Sequence, residues 1–122
     1  MRLNSMARGV VVLDENLEFL QSILYSRYKI RAHVFRKGTS DQEIAEQMSH
    51  RILITNNSKD FLHDAVCFDF GIIATEHYPM KDESLAQVIS HGIMKLSLWA
   101  KNTAFIATIA KDGSFTVRDI EG

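Results

Sequence analysis

Short apolar runs alternate along this chain with stretches of helical spacing, and each of the first four runs stops at polar residues. That alternation constrains the fold more than any other feature. The first run, VVVL at 10–13, is strand-like in length and β-branching and ends at Asp14, Glu15 and Asn16. From Asn16 the spacing changes: Leu17, Leu20 and Leu24, with Ile23 on the flank, predict a helix to about Tyr28. Residues 30–35 alternate as a second strand, and Lys37-Gly38 breaks the pattern. RILIT at 51–55 and GIIAT at 71–75 are the third and fourth strands.

The intervening helices have their own signals. SDQE at 40–43 has the form of a capping box, in which Ser40 caps the amide of Glu43 and Glu43 reaches back. It opens a helix over about 41–49. A short helix is expected over 59–65. The longest starts at Asp82 or Ser84 and carries Leu85, Val88, Ile89, Ile93, Leu96 and Trp99 on one stripe, as core or as the face of a homodimer. Segments 103–110 and 115–120 then read as a β-hairpin, with Asp112-Gly113 supplying the positive φ of its turn. The order β-α-β-α-β-α-β-α-β-β predicts an α/β fold. It is a three-layer α/β/α sandwich with a mostly parallel central sheet and a C-terminal β-hairpin.

Length and charge bound the rest. A chain of 122 residues suits one domain, 9–122, behind a flexible N-terminal leader at 1–8 with a second methionine at Met6. A net charge of −1 gives no global field toward nucleic acid or an anionic membrane, so phosphate binding requires a local patch or a cation. No apolar run approaches the ~20 residues of a membrane span, and the start lacks a signal-peptide core, so a cytoplasmic protein is expected. Cys67 is the only cysteine, which excludes an intramolecular disulfide and a thiolate zinc site; its apolar setting, AVCF, predicts an inert buried thiol. The five histidines show no metal-binding spacing and are expected at or near the surface.

In an open α/β sheet, ligands bind outside the carboxyl ends of the strands. Strand one ends at Asp14-Glu15, the loop after strand two delivers Asp41 and Glu43 to a helix start, and strand three ends in Thr55, Asn56, Asn57, Ser58 and Asp60. If these strands are parallel neighbours, the acids share one rim. Clustered carboxylates repel unless a cation lies between them. Oxygen ligands without His or Cys suit Mg²⁺ or Mn²⁺, which lower the pKa of a bound water and polarise a phosphoryl oxygen, the chemistry of phosphodiester hydrolysis. Each residue also has a purely structural role open to it. Asp14 and Asp60 are candidates to cap the helices after them, Asp41 to sit on a helix dipole, Glu43 to complete the capping box, and Asn57 to make a turn. Thr55 can orient a water or phosphate. Arg36, Lys37 and Lys59 can hold substrate phosphates or simply carry solvated charge. Tyr78 and Pro79, in the loop after strand four, reach the same rim, where base stacking is open to the ring.

LDENL (13–17), SDQEIAE (40–46) and ITNNSKDF (54–61) resemble the short PIN-like branch of the PIN-domain nuclease superfamily over about residues 9–120. The resemblance implies a metal-dependent endoribonuclease with an acidic Mg²⁺ or Mn²⁺ pocket, often the toxin of a bacterial toxin–antitoxin pair, with RNA as substrate and an antitoxin protein as partner. It assigns metal binding to Asp14, Asp41 and Asp60, with Asn57 in the catalytic set and Glu43 and Asn56 as accessories. One departure stands out. Where the family commonly has an Asp before its D-F pair, this chain has Asn56-Asn57-Ser58, which opens the alternative of a catalytically degraded module that binds a partner protein or RNA. A phosphoacceptor receiver domain also ends a strand in Asp, but it requires an acidic pair before the acceptor strand and a lysine ending a later one. Strand four here ends GIIAT-Glu76 and two hairpin strands follow the last helix, so that pattern fails.

Overall fold

The computed structural model describes residues 11–35, 37–97 and 104–120. The leader 1–8, Arg36 and Trp99 lie outside the described residues. Six strands form one sheet: β1 (Val11–Leu13), β2 (Ala32–Val34), β3 (Ile52–Thr55), β4 (Gly71–Ala74), β5 (Phe105–Ile109) and β6 (Phe115–Asp119). Their order is β2-β1-β3-β4-β5-β6, with every pair parallel except β5 with β6. The helices are α1 (Leu20–Tyr28), α2 (Asp41–Glu46), α3 (Leu62–Phe68) and α4 (Glu83–Ser97). The α/β sandwich with a parallel sheet and a terminal hairpin is therefore as the sequence pattern predicts.

The inner strands β1, β3 and β4 are buried on both faces, where a parallel sheet needs continuous apolar runs. Successive side chains alternate between two cores. Val11, Leu13, Ile52, Ile54 and Ile73 pack against Leu20 and Leu24 of α1 and Leu85, Ile89 and Ile93 of α4. Val12, Leu53, Ile72 and Ala74 pack against Ala45 and Met48 at α2 and Ala65 of α3. The described part of the long apolar stripe, Leu85 to Leu96, is thus core.

Local chemistry shaped the element ends. The helix expected from Asn16 is broken: a 3₁₀ turn, Glu15–Leu17, precedes α1, which starts at Leu20. The capping box is present, with the Glu43 amide donating to Ser40 Oγ at 3.2 Å. Its return bond runs from the Ser40 hydroxyl to Glu43 Oε1 at 3.1 Å, rather than from the Ser40 backbone. At the start of α4 the Asp82 carboxylate accepts from the Ser84 amide and hydroxyl at 2.9 and 2.7 Å, which holds its carboxyl below the usual range. That stabilisation is present above the ordinary carboxylate pKa and is lost as pH falls through the lowered one. In the hairpin, only Gly113 takes a positive φ, 86°; the three-residue turn is closed by Gly113 N to Ala110 O and Ala110 N to Ser114 O. No helix of the described residues is long and apolar enough to cross a membrane.

One expectation is corrected. Cys67 is exposed, not buried, and its Sγ lies 3.5 Å from Nε2 of His63 one helical turn back. Helical period decides this: Phe61 and Ala65 face the core, and two residues beyond Ala65 the helix has turned to solvent. Cys67 will therefore react with a thiol-specific disulfide reagent in the folded protein. A reaction that waits for denaturant would return it to the core. All five histidines are exposed, as expected.

Candidate functional site

The strand order reverses direction between β1 and β3, because the chain leaves β1 for β2 on one side and returns to β3 on the other. This is the switch point where α/β sheets open a crevice. Asp14 follows β1 and Thr55 ends β3, so both stand on its rim. The parallel ladder continues to Asp14, whose amide donates to Ile54 O at 3.0 Å. The Thr55 hydroxyl, fully buried, donates to Asp14 Oδ2 at 2.7 Å and accepts from the Asn57 amide at 3.0 Å. A charge-assisted bond of this length holds the carboxylate firmly.

That geometry leaves Asp14 without the capping role. It occupies the position before the 3₁₀ turn, yet its side chain makes no capping bond. Its carboxylate is instead tied across the sheet, and the residue lines a cavity of about 50 Å³. Asp41 lines the same cavity, with Thr39 and Phe35 from the loop after β2 and Leu53 and Phe61 from the β3 side. The structure thus brings together the acids that follow strands one and two.

Other residues singled out in the sequence fall elsewhere. Asp60 is exposed in the 3₁₀ turn Ser58–Phe61, where its neighbour Phe61 takes the buried position, and it does not line that cavity. Among the described residues no group of three or more His, Cys, Asp or Glu side chains gathers to hold a metal ion, so Asp60 does not join Asp14 and Asp41 in one. Glu43 is engaged in the capping box. Asn57 is exposed and makes no side-chain cap. Lys37 lines an open groove of about 460 Å³ with Glu15, Glu18 and Gln21. Lys59 is exposed beside Asp60.

The oxygen donors of Asp14 and Asp41 suit a small hard cation. Mg²⁺ keeps several waters and asks one or two carboxylates of a protein, the rest of its shell coming from substrate phosphates. Asp14 and Asp41 meet that requirement: oxygen donors, on one cavity, at a sheet's ligand-binding rim. Thr55 spends its proton on Asp14, so its part here is to orient that carboxylate.

One residue of the rim was not among the candidates that the sequence offers. Glu76, at the end of β4, accepts at Oε2 from the amide of Ser58 at 3.3 Å and from the Ser58 hydroxyl. This bond ties the loop after β3 to the end of β4. The rule that picked out Asp14, an acid directly after a buried strand, applies equally to Glu76. Beside them Asn56 has a buried amide oxygen with no hydrogen-bond partner among the described residues. Such an acceptor costs about 1–3 kcal/mol. Asn56 and Glu76 line a cavity of about 230 Å³ that Leu17 and Leu85 wall from the α1/α4 side. Comparison with known proteins finds no matching family model, no matching curated protein and no matching solved structure.

Proposed function

We propose that the protein is a metal-dependent ribonuclease of PIN-like type. One observation carries this reading: the Asp14 carboxylate, fixed by the Thr55 hydroxyl at the switch point of the sheet, shares a cavity with Asp41. The resemblance of LDENL, SDQEIAE and ITNNSKDF to the PIN-like branch supports it from an independent direction. On this reading Asp14 and Asp41 hold Mg²⁺ or Mn²⁺. The cation, when bound, supplies a lowered water pKa and a polarised phosphoryl oxygen. The chain itself positions. Thr55 keeps Asp14 aimed, the Ser40–Glu43 box anchors the helix start that carries Asp41, and Lys37 and Lys59 draw in the RNA backbone. On the same resemblance we read the protein as the toxin of a bacterial toxin–antitoxin pair, acting in the cytoplasm and neutralised by an antitoxin protein.

The alternative is a module of the same architecture that binds RNA or a protein without cutting. The Asn56-Asn57 pair, neutral where the family pattern carries an acid, favours it. Calorimetric titration of the full chain with Mn²⁺, paired with a single-stranded RNA cleavage assay, separates the two. The nuclease reading expects one Mn²⁺ site and cleavage that stops when EDTA is added. Absence of Mn²⁺ binding at millimolar metal, with intact RNA, sinks it in favour of the module.

A further inference from the structure

We propose that the second cavity on the rim, between Asn56 and Glu76, is a subsite for a guanine base of the RNA strand; this rests on the ribonuclease reading above. At about 230 Å³ the cavity is smaller than the roughly 300–1,000 Å³ of sites for drug-sized ligands, and suits a single ring system. Leu17 and Leu85 give it apolar walls, and Tyr78 and the exposed Lys81 line it as well. The Tyr78 hydroxyl is tied to Ser84 Oγ at 3.1 Å, which fixes the ring in place.

The polar groups are unbalanced in a way that selects the base. Glu76 can only accept when ionised, and its Oε2 already takes the two donors of Ser58. Among the described residues its Oε1 takes none. The amide oxygen of Asn56 is a second acceptor without a donor. That oxygen is buried beside the cavity, and it reaches a ligand there by a turn about the asparagine's terminal torsion, which is soft and roughly two-fold. The cavity therefore asks for a ligand with adjacent N–H donors. Among the four RNA bases only guanine carries two neighbouring donors, N1–H and N2–H₂, on its Watson–Crick edge. Adenine and cytosine place a ring acceptor beside their amine, and uracil flanks its one N–H with two carbonyls. A carboxylate would face those acceptors at a loss. Lys81 supplies the matching donor for guanine O6 or N7. Single-stranded RNA presents its bases unstacked in this way, edges free and faces against aromatic side chains.

The placement joins the two sites. Asn56 directly follows Thr55, whose hydroxyl holds Asp14. A strand whose guanine occupies this cavity has its adjoining phosphate led across the end of β3 toward the Asp14–Asp41 side.

Calorimetry of the full chain in EDTA, with the 5′-monophosphates of guanosine, inosine, adenosine, cytidine and uridine, tests the assignment without cleavage. Guanosine monophosphate is expected to bind about tenfold or more tighter than the adenosine, cytidine and uridine forms. The inosine form lacks only the N2 amine and should lose about tenfold. Glu76→Gln should erase the guanine preference and Lys81→Met weaken binding; both residues are exposed, and circular dichroism verifies their folding. Asp14→Asn should keep the preference. Equal binding of guanosine and adenosine monophosphates, no binding at millimolar nucleotide, or a preference that survives Glu76→Gln overturns the proposal. Guanine binding by a protein that cuts no RNA would sink the nuclease reading and leave this site standing. Cleavage without a guanine preference would do the reverse.

Discussion

Asp14→Asn is expected to eliminate divalent-cation-dependent RNA cleavage while the protein stays folded. Asparagine has the same shape as aspartate, and its amide oxygen can still accept the Thr55 hydroxyl that reaches Asp14 Oδ2 at 2.7 Å. The backbone bond from residue 14 to Ile54 O is untouched. What disappears is the charge. A fall of at least about 100-fold follows from losing one preorganised electrostatic group at a reacting centre. Thr55→Val should give a milder defect of roughly 10–100-fold, the usual scale for a residue that orients a metal ligand. The pair of variants is informative together. If Asp14→Asn cuts RNA at the wild-type rate, Asp14 has no catalytic part. If Thr55→Val loses everything while Asp14→Asn loses little, the roles assigned to the two residues are reversed.

The largest effect on stability is expected from Ile54→Ala. Ile54 is wholly buried in β3, paired with Leu13 of β1 on one side and Ile73 of β4 on the other. Truncating it leaves a cavity where the sheet meets α1 and α4, at a cost of roughly 2–5 kcal/mol. Against a total stability of about 5–15 kcal/mol, that lowers the melting temperature by about 10 °C or more. Gln87→Ala, on the exposed side of α4, is the control and should shift stability by no more than about 0.5 kcal/mol. Similar urea midpoints for the two variants would show that Ile54 is not at the centre of the core.

Most of the architecture was readable because burial on both faces of a parallel strand leaves a plain mark. VVL, ILIT and GIIA are continuous apolar runs, and a covered parallel sheet accommodates three of them with helices between. The break between Leu17 and Leu20 was not readable, because all of Leu17, Leu20 and Leu24 face one core whether or not the helix is continuous. Cys67 was misjudged for the opposite reason: composition around it is apolar, but the helical period carries it outward. At the site, Asp14 could be found from its place after a strand. The Thr55 bond that holds its carboxylate spans 41 residues, and no local pattern announces it. The bond between Ser58 and Glu76 and the stranded oxygen of Asn56 likewise exist only once β3 and β4 lie side by side. The drift of Asp60 to the surface follows from Phe61 claiming the core, a competition visible only in three dimensions.

The pairing of β1 with β3 also sets when the site can come into being. Val11 sits opposite Ile52, and the intervening chain must first leave for β2 and return. No hairpin or single helix can assemble this crevice early, since its two sides are distant along the chain. Sheets closed by such non-local contacts fold on the millisecond-to-second scale rather than in microseconds. A nascent chain that has not yet released Thr55 has an aspartate at position 14 but nothing to aim it. The pair of Asp14 and Thr55 therefore cannot form until the chain has been made at least through residue 55, an order set by topology.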